Sequence, residues 1–366
     1  MTELTDRDWK GFDAFGPKGL FEIHTTNSSI DKKRLVLDGP EIVPYVTRSA
    51  DNNGVALFVS DKNYSYGFDL PDVITVGLDT QTAFYQPYKF VTGQNIQIIT
   101  GEHLTPLVIQ FLLPLLRTQM TAKFNWGGNG ATLSRMKRLR LMLPIDDNGQ
   151  PDYDFMSDYV RERLSQKRQS YLDYVHDRLA ELGTVQSLPA INSVDWTPFA
   201  LPKLFEFERG REKNMKKLVS GAVPLVSAKK INNGVKAFVG NPHKIITSGN
   251  TVTLNNDGDG GAGLAYYQPS DFALDTHVTA LHAKQKVSSY ALQFIAASLS
   301  KQHELFGHGR SISLPRAKHL KVMLPTMSDG TPDYSYMDQY VKNKMNQKYN
   351  HYLKYLNASV IGSNKL

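Results

Sequence analysis

Two clusters of basic residues have the spacing to neutralise adjacent phosphates. Arg135, Lys137 and Arg140 form one; Arg316, Lys318 and Lys321 form the other. Cations set against a polyanion's backbone release condensed counterions and give affinity without sequence preference. The same residues would equally make an ordinary solvated face. Groups able to read base edges stand elsewhere. Arg pairs with guanine and Asn with adenine through two parallel bonds in a major groove. Asn125 and Asn129 sit in one glycine-rich stretch, and His308, Arg310 and Ser311 in another. Arg48 and Ser49, Arg209 and Arg211, and Lys229 and Lys230 are further candidates in loop-like surroundings. Asn52-Asn53-Gly and Asn232-Asn233-Gly are either contacts or tight turns, since Asn-Gly tolerates positive φ. Tyr85-Gln86 and Tyr267-Gln268 place an aromatic and an amide near a groove, or a core tyrosine beside a strand end.

Catalytic patterns are missing. There is no Gly-x-x-x-x-Gly-Lys phosphate loop, no His-Glu-x-x-His, no Gly-x-Ser-x-Gly and no metal-spaced cluster. His303 and His308 flank Glu304, but nothing elsewhere in the chain matches them. Gly127-Gly128-Asn129-Gly130 reads as a turn, Asn/Asp-Pro-Pro-Tyr/Phe does not occur, and Pro151-Asp152 and Pro332-Asp333 head helices rather than a nuclease motif. No catalytic residue and no metal ligand is expected. The absence of cysteine excludes disulfides and thiolate chemistry. Forty-two Lys and Arg against 35 Asp and Glu give a net charge of +7, which favours an acidic partner. The polar start, Met1 to Trp9, is unlike a signal peptide, and the longest apolar run, Leu104 to Leu116, is broken by Pro106, Gln110 and Pro114. A cytoplasmic protein with no membrane contact is expected.

The elements that position these residues come in duplicate. Asp8-Trp9 returns as Asp195-Trp196, and Leu20-Phe21-Glu22-Ile23 as Leu204-Phe205-Glu206-Phe207. Asn52-Asn53-Gly54-Val55, Tyr85-Gln86-Pro87 and Met142-Leu143-Pro144 also return, as Asn232-Asn233-Gly234-Val235, Tyr267-Gln268-Pro269 and Met323-Leu324-Pro325. The order is kept throughout, so the chain is a repeated unit. Short β-branched and aromatic runs, such as Val55–Val59, Val73–Val76 and Asn95–Ile99, predict strands. Thr105–Thr121 and Ser288–Gln302 predict one helix per unit. Pro151-Asp152 and Pro332-Asp333 then start long helices free of Gly and Pro, the first stopped by Gly183. Met156, Val160, Leu164, Tyr171 and Val175 form one apolar stripe; Met337, Val341, Met345, Tyr352 and Leu356 form its counterpart. Helices of roughly 46 and 42 Å outrun one small domain. Antiparallel pairing with each other is expected, the alternative being that each folds back on its own domain. Tyr153, Tyr159 and Tyr174, with Tyr334, Tyr340 and Tyr355, widen the stripes and suggest a second contact. The expected organisation is α+β: domains over 1–150 and 184–331, helices over 151–183 and 332–366, and a linker over 184–194.

The ordered set Leu-Phe-Glu-Ile, Pro-Tyr-Val-Thr, Asn-Asn-Gly-Val, Phe-Tyr-Gln, Leu-Met-Leu-Pro and Gly-Gln-Pro-Asp-Tyr, followed by a long helix and repeated, resembles the DNA-specificity subunits of restriction–modification systems. The likeness is greatest to type IIB systems, with type I subunits as broader kin. The type I Pro-Pro-x-x-Glu-Gln pattern at the helix start is missing. The resemblance implies two target-recognition domains, each reading half of a bipartite, asymmetric double-stranded DNA site. It implies helices that set the spacing and dock methyltransferase and endonuclease subunits. S-adenosylmethionine and Mg2+ would act in those partners, with no cofactor in this chain. A type I specificity subunit, a protein-binding adaptor and a nuclease are the rival readings. If the two halves read different bases, positions that differ should specify, and shared positions should be structural or touch phosphate.

Overall fold

The computed structural model describes residues 2–124, 130–213, 217–242, 246–257, 261–307 and 309–363, with side chains to residue 357. The chain divides into two compact units, Met1–Tyr171 and Leu172–Leu366. In the first unit the elements are β1 (Trp9–Asp13), β2 (Glu22–Thr25), β3 (Val43–Val46), β4 (Val55–Val59), β5 (Val73–Gly77), β6 (Thr82–Gln86), β7 (Val91–Thr92), β8 (Ile96–Thr100), α1 (Pro106–Lys123), α2 (Leu133–Met136), β9 (Arg140–Pro144) and α3 (Tyr153–Leu182), whose last turns belong to the second unit. The second unit continues with β10 (Trp196–Ala200), α4 (Leu201–Leu204), β11 (Phe205–Arg209), β12 (Ser220–Val226), β13 (Val235–Val239), β14 (Thr251–Asn255), β15 (Ala265–Gln268), β16 (Ala273–Leu274), β17 (Val278–Ala283), α5 (Ser289–Ser300), α6 (Leu314–His319), β18 (Lys321–Pro325) and α7 (Tyr334–Ser363).

The duplication holds strand by strand. The first unit has an antiparallel sheet β2-β8-β5-β6, a sheet β4-β3-β7 with β3 and β7 parallel, and the pair β1-β9. The second has β11-β17-β14-β15, β13-β12-β16 and β10-β18 in the same arrangement. β1 and β9 pair Trp9 with Pro144 and Asp13 with Arg140; β10 and β18 pair Trp196 with Pro325 and Ala200 with Lys321. In the first unit α1 seals one face of the larger sheet, burying Leu112, Leu116 and Met120 against Ile74, Val76 and Ile99. α5 does the same with Leu292, Ile295 and Leu299 over Val252, Leu254 and Leu281. Apolar burial of this kind stabilises each sheet by roughly 25 cal/mol per Å².

The long helices start as their sequences predict. Asp152 Oδ1 accepts the Phe155 N–H at 2.8 Å, and Asp333 Oδ1 accepts the Tyr336 N–H at 2.8 Å, so each aspartate satisfies a donor the helix leaves unpaired. Gly183 takes φ +71°, a left-handed conformation suited to glycine, where α3 stops. The stripes divide their work differently from the expectation. Met156 and Val160 are buried in the first domain's own core, as Met337 is in the second, with Val341 packed beside it. Met156, Val160 and Met337 are therefore taken up by the domain cores. Tyr153 stacks on His103, Tyr159 meets Phe111 edge-on and Tyr340 meets Phe294 edge-on, while Tyr334 packs on the second core. The tyrosine surplus is therefore largely spent within each domain, because α1 and α5 present large aromatic rings to the first turns of the long helices. Leu164, 52% exposed, lies off any core.

Pairing begins farther along. Within the second unit Val175 is buried, Tyr174 meets Tyr349 edge-on, and Asn346 Nδ2 donates to the Gly183 carbonyl. Residue numbers rise on α3 as they fall on α7, so the helices run antiparallel there. Residues 184–194 are not a free linker either: Asn343 brackets the Gln186 backbone through two hydrogen bonds, and the Tyr336 hydroxyl donates to the Pro189 carbonyl. In the first unit the amino-terminal residues take the equivalent place, with the Thr2 N–H donating to Glu162 and Arg163 pairing with Glu3. Met345 and Leu356 are half-buried, and Tyr352 stacks on the exposed Tyr355.

Candidate nucleic-acid interface

Each larger sheet ends in a polar corner. In the first domain the strand β5 runs out at Gly77, and the Leu78 N–H donates to the Asn95 carbonyl just before β8. The Leu78 carbonyl then accepts the Ala131 N–H, which pins the segment leading to α2 onto the sheet end. Asp79 lies at the centre. Arg48 forms an ion pair with it from the turn after β3, and Asn95 Nδ2 donates to its Oδ2 at 3.3 Å. Arg135 donates to the Gly130 carbonyl at 3.0 Å, bracing the same segment.

The second domain repeats the corner with other side chains. The Asn256 N–H donates to the His277 carbonyl, and the Asn256 carbonyl accepts the Ile312 N–H. Asp257 now bonds His277 Nδ1 at 2.8 Å. Arg209, Asn256, His277 and Thr279 face Ser311 and Ser313 across a cleft of about 310 Å³. The hydrogen bond to Asp257 holds the His277 pKa above its ordinary value; burial and the Arg209 charge oppose this, and Asp275 adds to it. Arg316 donates to the Ser311 carbonyl at 2.5 Å, as Arg135 does to Gly130. Arg310 stands exposed on a small hairpin closed by its own N–H to the Gly307 carbonyl.

Known proteins bear on this arrangement. The type I restriction modification DNA specificity domain matches this chain twice, over residues 10–172 and 193–354. The chain belongs to that family. The specificity subunit S.BcgI of a type II restriction enzyme from Heyndrickxia coagulans is 26% identical over 307 residues, 83% of this chain and 86% of that protein. The crystal structure of a type I restriction–modification S subunit from M. genitalium shares the fold, with a TM-score of 0.52 at 16% identity, covering 99% of this chain and 96% of that one. This is a restriction–modification specificity subunit with two recognition domains.

The residues singled out in this specificity subunit fall into two groups, and a third set of site residues stands apart from them. Arg48, Arg135, Arg209, Arg310, Ser311 and Arg316 gather at or beside the polar corners, with Lys137 and Lys318 exposed at the ends of α2 and α6. Arg140 lies apart on β9, paired with Asp13 and with the Gly11 carbonyl, and Lys321 is exposed at the start of β18. Ser49 accepts the Asp51 N–H, Arg211 is exposed after β11, and Lys229 and Lys230 follow β12. Asn125, Asn129 and His308 lie outside the described residues.

A second group is structural: Asn52, Asn53, Asn232 and Asn233 take the tight-turn alternative, and Gln86 and Gln268 turn inward. Gln86 and Gln268 are each only 3% exposed. Gln86 Nε2 donates to the Asn53 carbonyl and to Thr75 Oγ1, both at 3.0 Å; Gln268 Nε2 donates to the Asn233 carbonyl and to Thr253 Oγ1. Neither amide can reach a base, because the strand ends point these side chains inward. Asn53 and Asn233 spend their side-chain amides on the carbonyls of Tyr85 and Tyr267. Asn52, Asn53 and Gly54 all have positive φ, as do Asn232, Asn233 and Gly234, so the shared motif is a left-handed turn. The Tyr85 and Tyr267 hydroxyls donate to Asp72 and Asn250, and burial, with the Asp72 bond, pushes the Tyr85 pKa up.

The third group was missed. Asp79, Asn95, Asp257 and His277 come together only through sheet pairing across 16 and 20 positions. One signal was available in the second repeat: Asp257 lies in a glycine-rich stretch, 255–263, that is longer than its counterpart at 79–82. Among the described residues no group of three or more His, Asp or Glu could hold a metal ion, and no helix is long and apolar enough to cross a membrane.

Proposed function

We propose that each recognition domain reads one half of a bipartite, asymmetric double-stranded DNA site through its polar corner, and that the long helices set the half-site spacing and dock methyltransferase and endonuclease subunits. The chain itself is non-catalytic. S-adenosylmethionine and Mg2+ serve the partner subunits. The observation that carries the reading is the contrast between scaffold and corner. Sheet order, the aspartate caps of the long helices and the Asn-Asn-Gly turns repeat in the two domains, whereas Arg48, Asn95 and Gly130 give way to other residues at the matching corner. A scaffold held constant beneath differing polar groups suits two readers of different sequences. A type IIB-like system is favoured by the likeness to S.BcgI, a type II specificity subunit, over 83% of this chain, and by the missing Pro-Pro-x-x-Glu-Gln pattern. The test is selection of duplexes bound by the full chain from a random library, followed by mapping of methylated positions in cells carrying the complete system. Two constant half-sites at a fixed gap are expected. A single uninterrupted site, or no enrichment, overturns the proposal.

A further inference from the structure

The two polar corners differ by one informative exchange. The bonds Leu78 N–H to Asn95 O and Asn256 N–H to His277 O make Asn95 and His277 equivalent, and hence also Asp79 and Asp257, each one residue beyond. The aspartate is shared; the residue bonded to it is not. In each domain the carboxylate grips one polar atom of its neighbour: Nδ2 of Asn95, Nδ1 of His277. The rest of that side chain is left outward, since Asn95 is exposed and the His277 side chain is 58% exposed.

We propose that Asp79 and Asp257 are positioning residues that orient Asn95 and His277 as specificity-determining residues, one for each half-site, and that His277 reads its base with a polarity that inverts on protonation. This rests on the reading of the two domains as DNA readers. With Nδ1–H committed to Asp257, neutral His277 presents Nε2 as a bare acceptor, suited to the exocyclic amine of adenine or cytosine. The imidazolium presents Nε2–H as a donor, suited to N7 or O6 of guanine. Asn95 has no such inversion, because an amide bound through Nδ2 keeps its Oδ1 an acceptor at every working pH. The charged groups facing His277 are Asp257 after β14, Asp275 before β17 and Arg209 on β11; the 311–315 segment closing the cleft carries no ionisable side chain. Two carboxylates outweigh one guanidinium, so the donor form persists to higher pH than in a free histidine.

The experiment is selection from a random duplex library by the full chain at pH 6.0 and pH 8.5, for the native protein, His277→Asn and Asn95→His. The native chain should favour guanine at one position of the second half-site at low pH and lose that preference by about tenfold at high pH, the scale of a charge-assisted hydrogen bond. The first half-site should not respond to pH. His277→Asn should remove the pH response at that position alone. Asn95→His should introduce a response into the first half-site; Asn95 has φ +64°, which histidine also tolerates. A pH-independent second half-site in the native chain, or base preferences untouched by both substitutions, overturns this inference while leaving the bipartite reading intact. Failure to enrich either half-site overturns both.

Discussion

Removing one buried amide in each domain should separate architecture from recognition. Gln86 clips the turn between β3 and β4 to the larger sheet, with two 3.0 Å bonds from Nε2 to the Asn53 carbonyl and the Thr75 hydroxyl. The Thr75 hydroxyl donates onward to the Phe84 carbonyl, so the small network is closed. Gln86→Ala takes away both bonds and leaves the buried Thr75 hydroxyl oxygen and the part-buried Asn53 carbonyl without this donor. Each such group costs about 1–3 kcal/mol, so a loss of about 3 kcal/mol is expected. Over the first unit that corresponds to a Tm lower by about 6–12 °C. Gln86→Leu fills the volume without the bonds and should recover only part of the loss. Hydrogen exchange read by mass spectrometry is the assay. Protection over 52–59 and 73–86 should fall by up to about a hundredfold, while the matching segments of the second domain stay protected. Gln268→Ala should give the reverse pattern. DNA bound by the folded fraction should keep both half-sites. Unchanged protection together with an altered base preference would show that the amide reads DNA and would refute its structural role.

Four residues inserted near Lys167, matched by four near Lys348, lengthen each helix by about 6 Å. Duplex DNA rises about 3.4 Å per base pair, so the gap in selected sites should widen by one or two base pairs with both half-sites unchanged; an unaltered gap refutes the spacer role. Lys137→Ala should weaken binding evenly across sequences and lower the salt slope by about 1, whereas Arg310→Ala should relax one base position at a cost of about 1–3 kcal/mol; equal behaviour in titrations against matched and mismatched duplexes would refute the division. Asp152→Ala should cost about 1–2 kcal/mol in urea denaturation through loss of the α3 cap. Burial tends to raise the Asp152 pKa, but its bonds from Arg7 and the Phe155 N–H prevail and hold it below the usual carboxylate range. The stabilisation is therefore complete above the unfolded value of about 3.9 and is lost as pH falls through the lower folded value. Asp152→Asn keeps a capping oxygen without the charge, and its stability should depend less steeply on pH in that acid window.

Features with local causes were legible from the residues alone. The repeat, the strands read at 55–59 and 73–76, and the helix starting at Thr105 follow from residue order and from short-range periodicity. The long helices follow from a capping aspartate, a run without Gly or Pro, and a terminal Gly183. Each depends on neighbours within one or two turns. Side-chain destinations depended on partners far away in sequence. Strand order β2-β8-β5-β6 brings Asp79 beside Asn95, and β11-β17-β14-β15 brings Asp257 beside His277, joining residues that no short motif connects. The same sheets turn Gln86 and Gln268 inward, although their residue type reads equally well as a groove contact; a strand's alternation decides inside from outside only once its pairing is set. α1 and α5 claimed Met156, Val160 and Met337 for the domain cores, because an apolar stripe specifies that a surface will be covered and tertiary packing specifies by what.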